Sequence, residues 1–220
     1  MTYIVTGHYG SGKTEFCVNL AIKLAREQGR PITIADLDVV NPFFRSRERE
    51  KELAPLGIEI MGFALENHLA QDVPALSFAF LSRIRAGQDV IIDLAGGEIG
   101  LKLLANCYAD IKAHNFFCVF NLYRPETSSA NQMVAFCDRL NSVSRLHITG
   151  LVNNGNLLRQ TEAEHVLESQ KAVFAACREM GLPLAYTLVR EDIYRKIAGD
   201  IVSENVLTFA KPQMREEWQG

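Results

Sequence analysis

Short apolar runs bounded by turn residues alternate along the chain with longer stretches in which apolar positions recur every three to four residues. The runs fall at 3–6, 32–35, 58–61, 90–94, 116–121, 147–153 and 184–188, and read as buried strands. Between them, Phe16, Leu20 and Leu24 recur at i, i+4 and i+8, while Ala163, Val166, Leu167, Gln170, Phe174 and Cys177 fall on one helical stripe. Both stripes are expected to pack on the sheet. Thr161 with Glu164 three residues on reads as a capping box for a helix near 161–180, and Gly29 and Gly181 stand where the two helices would end. This order of βαβ units predicts an α/β fold: a mostly parallel, doubly wound sheet with helices on both faces.

Composition adds bounds to that picture. The 220 residues hold no internal repeat, low-complexity tract or Gly/Ser linker, and 48% hydrophobic content suffices for a full core, so one domain spanning 1–220 is expected. The formal net charge of −3 gives no global positive field, and neither nucleic acid nor a membrane surface is an expected partner. No apolar run reaches the ~18 to 20 residues a bilayer span requires, and the first residues do not resemble a secretory leader; a cytoplasmic location is expected. The tail from Lys211 to Trp218 lacks a basic amphipathic helix. Cys17, Cys107, Cys118, Cys137 and Cys177 are odd in number, with no C-x-x-C pair, and are expected to be reduced and mostly in the core.

The candidate chemistry begins at the first strand's end. Gly7-His8-Tyr9-Gly10-Ser11-Gly12-Lys13-Thr14 satisfies G-x-x-x-x-G-K-[ST], placed between a strand and an amphipathic helix. In such a loop the glycines let backbone N–H groups surround phosphate oxygens and the helix N-terminus adds partial positive charge. Lys13 reaches the β and γ phosphates, and the Thr14 hydroxyl takes Mg²⁺. The ATP-binding set is then Gly7, Tyr9, Gly10, Ser11, Gly12, Lys13, Thr14 and Glu15. The second strand ends at Asp36-Leu37-Asp38, two carboxylates at i and i+2 near the mouth where open α/β sheets bind ligands. Asp93 ends the run Val90-Ile91-Ile92 before Gly96-Gly97, matching a Walker B strand that binds Mg²⁺ directly or through water.

Together, Gly7 to Thr14, Asp36-Leu37-Asp38 and Ile92-Asp93 with Gly96-Gly97 resemble the MinD/ParA/CobQ-CobB class of P-loop ATPases, which includes the nitrogenase iron protein and dethiobiotin synthetase. The resemblance covers roughly residues 1 to 190. It implies that Asp38 positions the attacking water, with Lys13 as the other catalytic residue, and that Asp36 and Asp93 join Thr14 at Mg²⁺. It also implies a homodimer in the ATP-bound state and an as yet unidentified protein partner. The chain departs from the class at His8, where many members carry a signature lysine that reaches across a dimer; His8 reads as a solvent-facing loop spacer or as a charged donor when protonated. Arg45 or Arg47 is a candidate trans cation, although their alternating-sign surroundings also suit a solvated helix face.

The strand at 147–153 runs into Asn153-Asn154-Gly155-Asn156, where related proteins place a base-reading asparagine, so Asn153 or Asn154 is a candidate adenine ligand; a simple Asn-Gly turn is the alternative. No N-K-x-D motif occurs, which favours ATP over GTP. Asp72-Val73-Pro74-Ala75-Leu76 reads as a nucleotide-responsive loop or as a helix start. Three functions fit: a nucleotide-switched ATPase in an assembly, positioning or enzyme-activating role; an ATP-dependent metabolic enzyme resembling dethiobiotin synthetase; and an ATP-binding module without hydrolysis. An enzyme would need polar anchors beside the γ-phosphate, for which the sequence offers few candidates besides Arg45, Arg47 and Lys102.

Overall fold

The computed structural model describes residues 1–38, 49–62 and 79–214; Arg45, Arg47, residues 72–76 and residues 215–220 lie outside the described residues. Eight strands form one sheet in the order β3-β2-β4-β1-β5-β6-β7-β8. They are β1 (Thr2–Gly7), β2 (Ile32–Leu37), β3 (Ile58–Gly62), β4 (Asp89–Leu94), β5 (His114–Phe120), β6 (Gly150–Asn153), β7 (Leu184–Arg190) and β8 (Asn205–Phe209). Every neighbouring pair runs parallel.

Continuous apolar runs serve because successive residues feed opposite layers. Ile4, Ile92, Phe116, Cys118 and Phe120 pack in one core with Phe80 of α3 (Ala79–Arg85), Leu101 of α4 (Glu98–Leu104), Phe136 of α5 (Ala130–Val143) and Val173 of α6 (Ala163–Met180). Val5, Ile91, Phe117 and Val119 point the other way, onto Phe16, Leu20 and Leu24 of α1 (Lys13–Gln28) and Leu53 of α2 (Glu50–Leu53). A smaller cluster joins α7 (Glu191–Ile197) to β7 through Val189 and Ile193. The five cysteines are buried free thiols.

The sequence pattern needs four corrections. The strand expected at 147–153 begins only at Gly150. The capping box at the start of α6 is built one residue later, with Glu162 as the cap and the Glu162 N–H donating to His165 Nδ1 at 3.0 Å. Thr161 is instead engaged with the preceding turn, accepting from the Leu157 N–H at 2.8 Å. Phe174 is 41% exposed while Val173, one residue earlier, is buried, because the α6 stripe centres on Val166, Ser169, Gln170, Val173 and Cys177. Finally, β8 extends the sheet past the last expected strand. The C-terminal glycines stand as expected: Gly29 and Gly181 end their helices in the left-handed region, donating to Ala25 and Cys177 carbonyls. Among the described residues no helix is long and apolar enough to cross a membrane.

The strand order reverses at β1, whose neighbours are β4 on one side and β5 on the other. The crevice at that switch point, beyond the carboxyl ends of the strands, is where such sheets accept ligands.

Candidate functional site

The loop from β1 to α1 occupies that crevice. Gly10 and Gly12 adopt φ of +73° and +87°, left-handed values that glycine reaches without a Cβ penalty. At Gly12 a Cβ would lie 2.1 Å from Asn154 Nδ2, so the loop also needs glycine for close approach. No side chain caps the helix that starts at Lys13. Its first-turn N–H groups are therefore open to an anion at the positive end of the helix dipole. A cavity of about 450 Å³ opens there, with Gly10, Gly12, Lys13, Thr14, Glu15 and Asp38 in its lining.

Lys13 is buried, and a Cβ on Gly96 would lie 3.6 Å from its Nζ, which places the ammonium beside the loop after β4. Asp36 and Asp93 are register partners on adjacent parallel strands. All three aspartates that sequence reasoning singled out are buried: Asp36, Asp38 and Asp93. The Asp38 N–H donates to Asp36 Oδ1 at 3.2 Å, fixing the turn that leaves β2. Both Asp93 carboxylate oxygens are buried without a hydrogen-bond partner. Burial first and the nearby Asp36 charge second push the Asp93 carboxyl up to about 7, against the pull of the Lys13 ammonium.

A buried, unsatisfied carboxylate asks for a proton or a cation. With Thr14 and Asp36 it presents hard oxygen donors, the set Mg²⁺ takes when phosphate and water complete the shell. Among the described residues no group of three or more His, Cys, Asp or Glu could hold a metal alone, so the fit is to a phosphate-dependent Mg²⁺ and not to a dedicated cage.

The raised carboxyl has a consequence for stability. A group whose folded value lies above its unfolded one takes up a proton on folding, so its contribution is lost as pH rises from about 4 toward about 7. Metal-free protein should therefore lose denaturation midpoint across that window, and Asp93→Asn should flatten the loss. Identical slopes for the two proteins in urea titrations at several pH values would contradict the assignment.

The same cavity is walled by Asn154, Asn156 and Leu158 of the loop after β6 and by Phe209, Pro212 and Met214 of the C-terminal segment, and of these only Asn154 is a candidate in the sequence. Leu158 has φ of +60°, the one positive value for a non-glycine among the described residues, and its N–H donates to Asn156 Oδ1 at 2.6 Å. Strain of this kind is held where the surroundings over-determine it. Glu15 lines the cavity, but its carboxylate accepts from the Gln213 N–H at 2.8 Å and the Met214 N–H at 2.9 Å, clasping the C-terminal segment against α1.

The two candidate asparagines have separate places. Asn153 is fully buried, donates to the Val166 carbonyl at 3.3 Å and accepts from the Gly155 N–H at 3.2 Å, so its amide is spent inside the β6–α6 junction. Asn154 lines the cavity and donates to the Ser11 carbonyl at 2.8 Å, while its Oδ1 is buried with no partner. His8 is not a spacer in solvent: its ring meets Phe136 edge-on at 5.8 Å and its Nδ1 lies 3.6 Å from Glu126 Oε2. Tyr9 is 66% exposed at the rim. A second cavity, of about 250 Å³, shares His8, Tyr9 and Asp38 with the first and is closed by Gly97, Ile99 and Arg139.

Comparison with known proteins agrees with this geometry. A family model described as the CobQ/CobB/MinD/ParA nucleotide binding domain matches residues 3–167. No curated protein matches the chain. Among solved structures, cell division protein FtsY from Thermotoga maritima aligns at 20% identity with a TM-score of 0.54, covering 85% of this chain and 60% of that one. Chloroplast FtsY from Physcomitrella patens aligns at 18% identity and 0.56, covering 84% and 57%. The signal recognition particle receptor FtsY from Elizabethkingia anophelis, in complex with GDP, aligns at 18% and 0.53, covering 84% and 56%. The chain thus spans less than two thirds of the length of these neighbours, and at such identities the likeness is one of fold.

Proposed function

The chain belongs to the CobQ/CobB/MinD/ParA nucleotide-binding domain family, and from that premise we propose that it is a Mg²⁺-dependent ATPase acting as a nucleotide-responsive switch in an assembly, positioning or enzyme-activating role. The observation that carries this reading is a convergence: an uncapped helix N-terminus, the buried Lys13 and three buried strand-end aspartates meet at one mouth. Lys13 and the loop N–H groups bind the β and γ phosphates. Thr14, Asp36 and Asp93 would hold Mg²⁺, whose charge would offset that of the phosphates. Asp38, shared by the two cavities, orients the attacking water.

Adenine is the favoured base. Reading guanine calls for a carboxylate facing its N1–H and N2–H; of the three carboxylates lining the cavity, Glu15 is committed to backbone N–H groups, Glu126 faces His8, and Asp38 is assigned here to the attacking water. The whole chain also lacks N-K-x-D. Asn154, through its unpartnered Oδ1, is the better base-site candidate of the two asparagines. Titration calorimetry with Mg²⁺-ATP and Mg²⁺-GTP should show at least about tenfold tighter ATP binding, a difference of ~1.4 kcal/mol. Equal or reversed affinities would assign the cavity to GTP.

A two-fold dimer in the ATP state has its own support. Tyr9 is 66% and Ile99 53% exposed beside the mouth, apolar surface that a second subunit would cover. Light scattering of an Asp38→Ala variant at tens of micromolar should show a doubled mass with ATP and not with ADP. An unchanged mass would shift the reading to an ATP-dependent metabolic enzyme, for which the second cavity, with Arg139 and His8 beside Asp38, is the acceptor site.

A further inference from the structure

Arg124 is docked on the phosphate loop of its own chain. Its Nε donates to the Gly10 carbonyl at 3.0 Å, and a Cβ on Gly10 would come to 3.0 Å from Nε and 3.3 Å from Cζ. Glycine at position 10 is thus what lets the guanidinium sit this close. The backbone carrying Arg124 is held firmly: its N–H donates to the Asn121 carbonyl at 3.2 Å, and its own carbonyl accepts from the Thr127 N–H at 3.0 Å. The Thr127 hydroxyl donates to that same Asn121 carbonyl at 2.9 Å, and the Asn121 amide reaches the Asn156 carbonyl at 2.9 Å. Asn121 and Thr127 are both buried. The loop between β5 and α5 is therefore a fixed mount, unlike a surface lysine on a free stem.

Charge gives this arginine a task. The cavity is lined by three carboxylates, Glu15, Asp38 and Glu126, against two permanent cations, Lys13 and Arg124. A nucleoside triphosphate brings further negative charge, and the loop itself supplies one permanent cation, Lys13. Nε is spent on Gly10, but the two terminal nitrogens of Arg124 have no hydrogen-bond partner among the described residues. We infer that Arg124 is a phosphate ligand supplied in cis, whose terminal N–H groups take the γ-phosphate oxygens and so distinguish a nucleoside triphosphate from a diphosphate. The inference rests on the nucleotide-binding reading of the cavity. It removes the need for a trans arginine in binding: one subunit completes the cage, and any dimer forms on an already occupied site. A planar guanidinium can engage a phosphate with two parallel bonds, which an ammonium cannot.

The test is calorimetric titration of the unmutated protein, Arg124→Ala and Arg124→Lys with Mg²⁺-ATP and Mg²⁺-ADP, at a concentration where light scattering reports a monomer. Arg124→Ala should weaken ATP by roughly 30-fold or more and ADP by less than about threefold, as expected for a lost charge-assisted bond to the γ-phosphate alone. Arg124→Lys should recover part of the ATP loss. Melting temperature without nucleotide should be unchanged in both variants. Equal losses for ATP and ADP, with a lowered melting temperature, would make Arg124 a strut for the loop and overturn the inference. Absence of nucleotide binding by the unmutated protein would instead sink the underlying reading and this inference with it.

Discussion

Replacement of Lys13 by alanine is expected to weaken Mg²⁺-ATP binding by at least about 100-fold, or ~2.7 kcal/mol, the scale set by removing one member of a buried, hydrogen-bonded charge pair. The magnitude follows from where the lysine sits. Its side chain is buried beside Gly96, within electrostatic reach of the buried Asp93, so water cannot take over its part. A second effect runs in the same direction. With the ammonium gone, Asp93 loses the opposing charge that restrains its raised carboxyl, and the two strand-end aspartates become harder to ionise together. The variant should therefore bind Mg²⁺ less well even where nucleotide is forced on by high concentration. Calorimetry at fixed Mg²⁺ measures the first effect. An affinity within twofold of the unmutated protein would remove the phosphate-loop reading.

Asp38→Ala should leave Mg²⁺-ATP bound within a few-fold while slowing hydrolysis by about 100-fold or more, the range typical of a positioned group that assists proton transfer or orients water in the transition state. Asp38 differs from its neighbours in ways that support this split. It lines both cavities, whereas Asp93 lines neither, and its own N–H is tied back to Asp36 Oδ1. Its carboxylate thus stands between the nucleotide site and the space a water or an acceptor would occupy. Phosphate release under single-turnover conditions, set beside affinity from the same preparation, separates the outcomes. Lost binding with unchanged turnover per bound ATP would make Asp38 a metal or folding residue.

The half of the candidate site proposed to handle phosphate could be read from the chain because its residues are local. Gly7 to Thr14 are contiguous, the helix they open follows at once, and Asp36, Asp38 and Asp93 sit at strand ends that the apolar runs mark. The rest of the cavity was legible only at Glu15 and Asn154. Its wall joins Leu158 to Phe209, Pro212 and Met214, and nothing in the spacing of these residues announces that β8 brings them together. Glu15 could be placed near the nucleotide by its position in the loop, yet its bonds to Gln213 and Met214 span the length of the domain and leave no sequence signature. Arg124 was passed over for a similar reason: between Tyr123 and Pro125 it reads as a turn residue, and only the fold sets it on Gly10. Asn153 and Asn154 are adjacent and chemically identical, so sequence could not divide them; both are buried at the end of β6, and Asn154 is the one in the cavity lining.

On the proposed reading this chain binds and hydrolyses a nucleoside triphosphate at the mouth formed by β1, β2 and β4. Its most direct measurement is titration of the purified protein with Mg²⁺-ATP, followed by release of inorganic phosphate from the same mixture. One saturable site per chain, with phosphate production that Asp38→Ala suppresses, is the expected result. No saturable binding of Mg²⁺-ATP or Mg²⁺-GTP at millimolar nucleotide would contradict it.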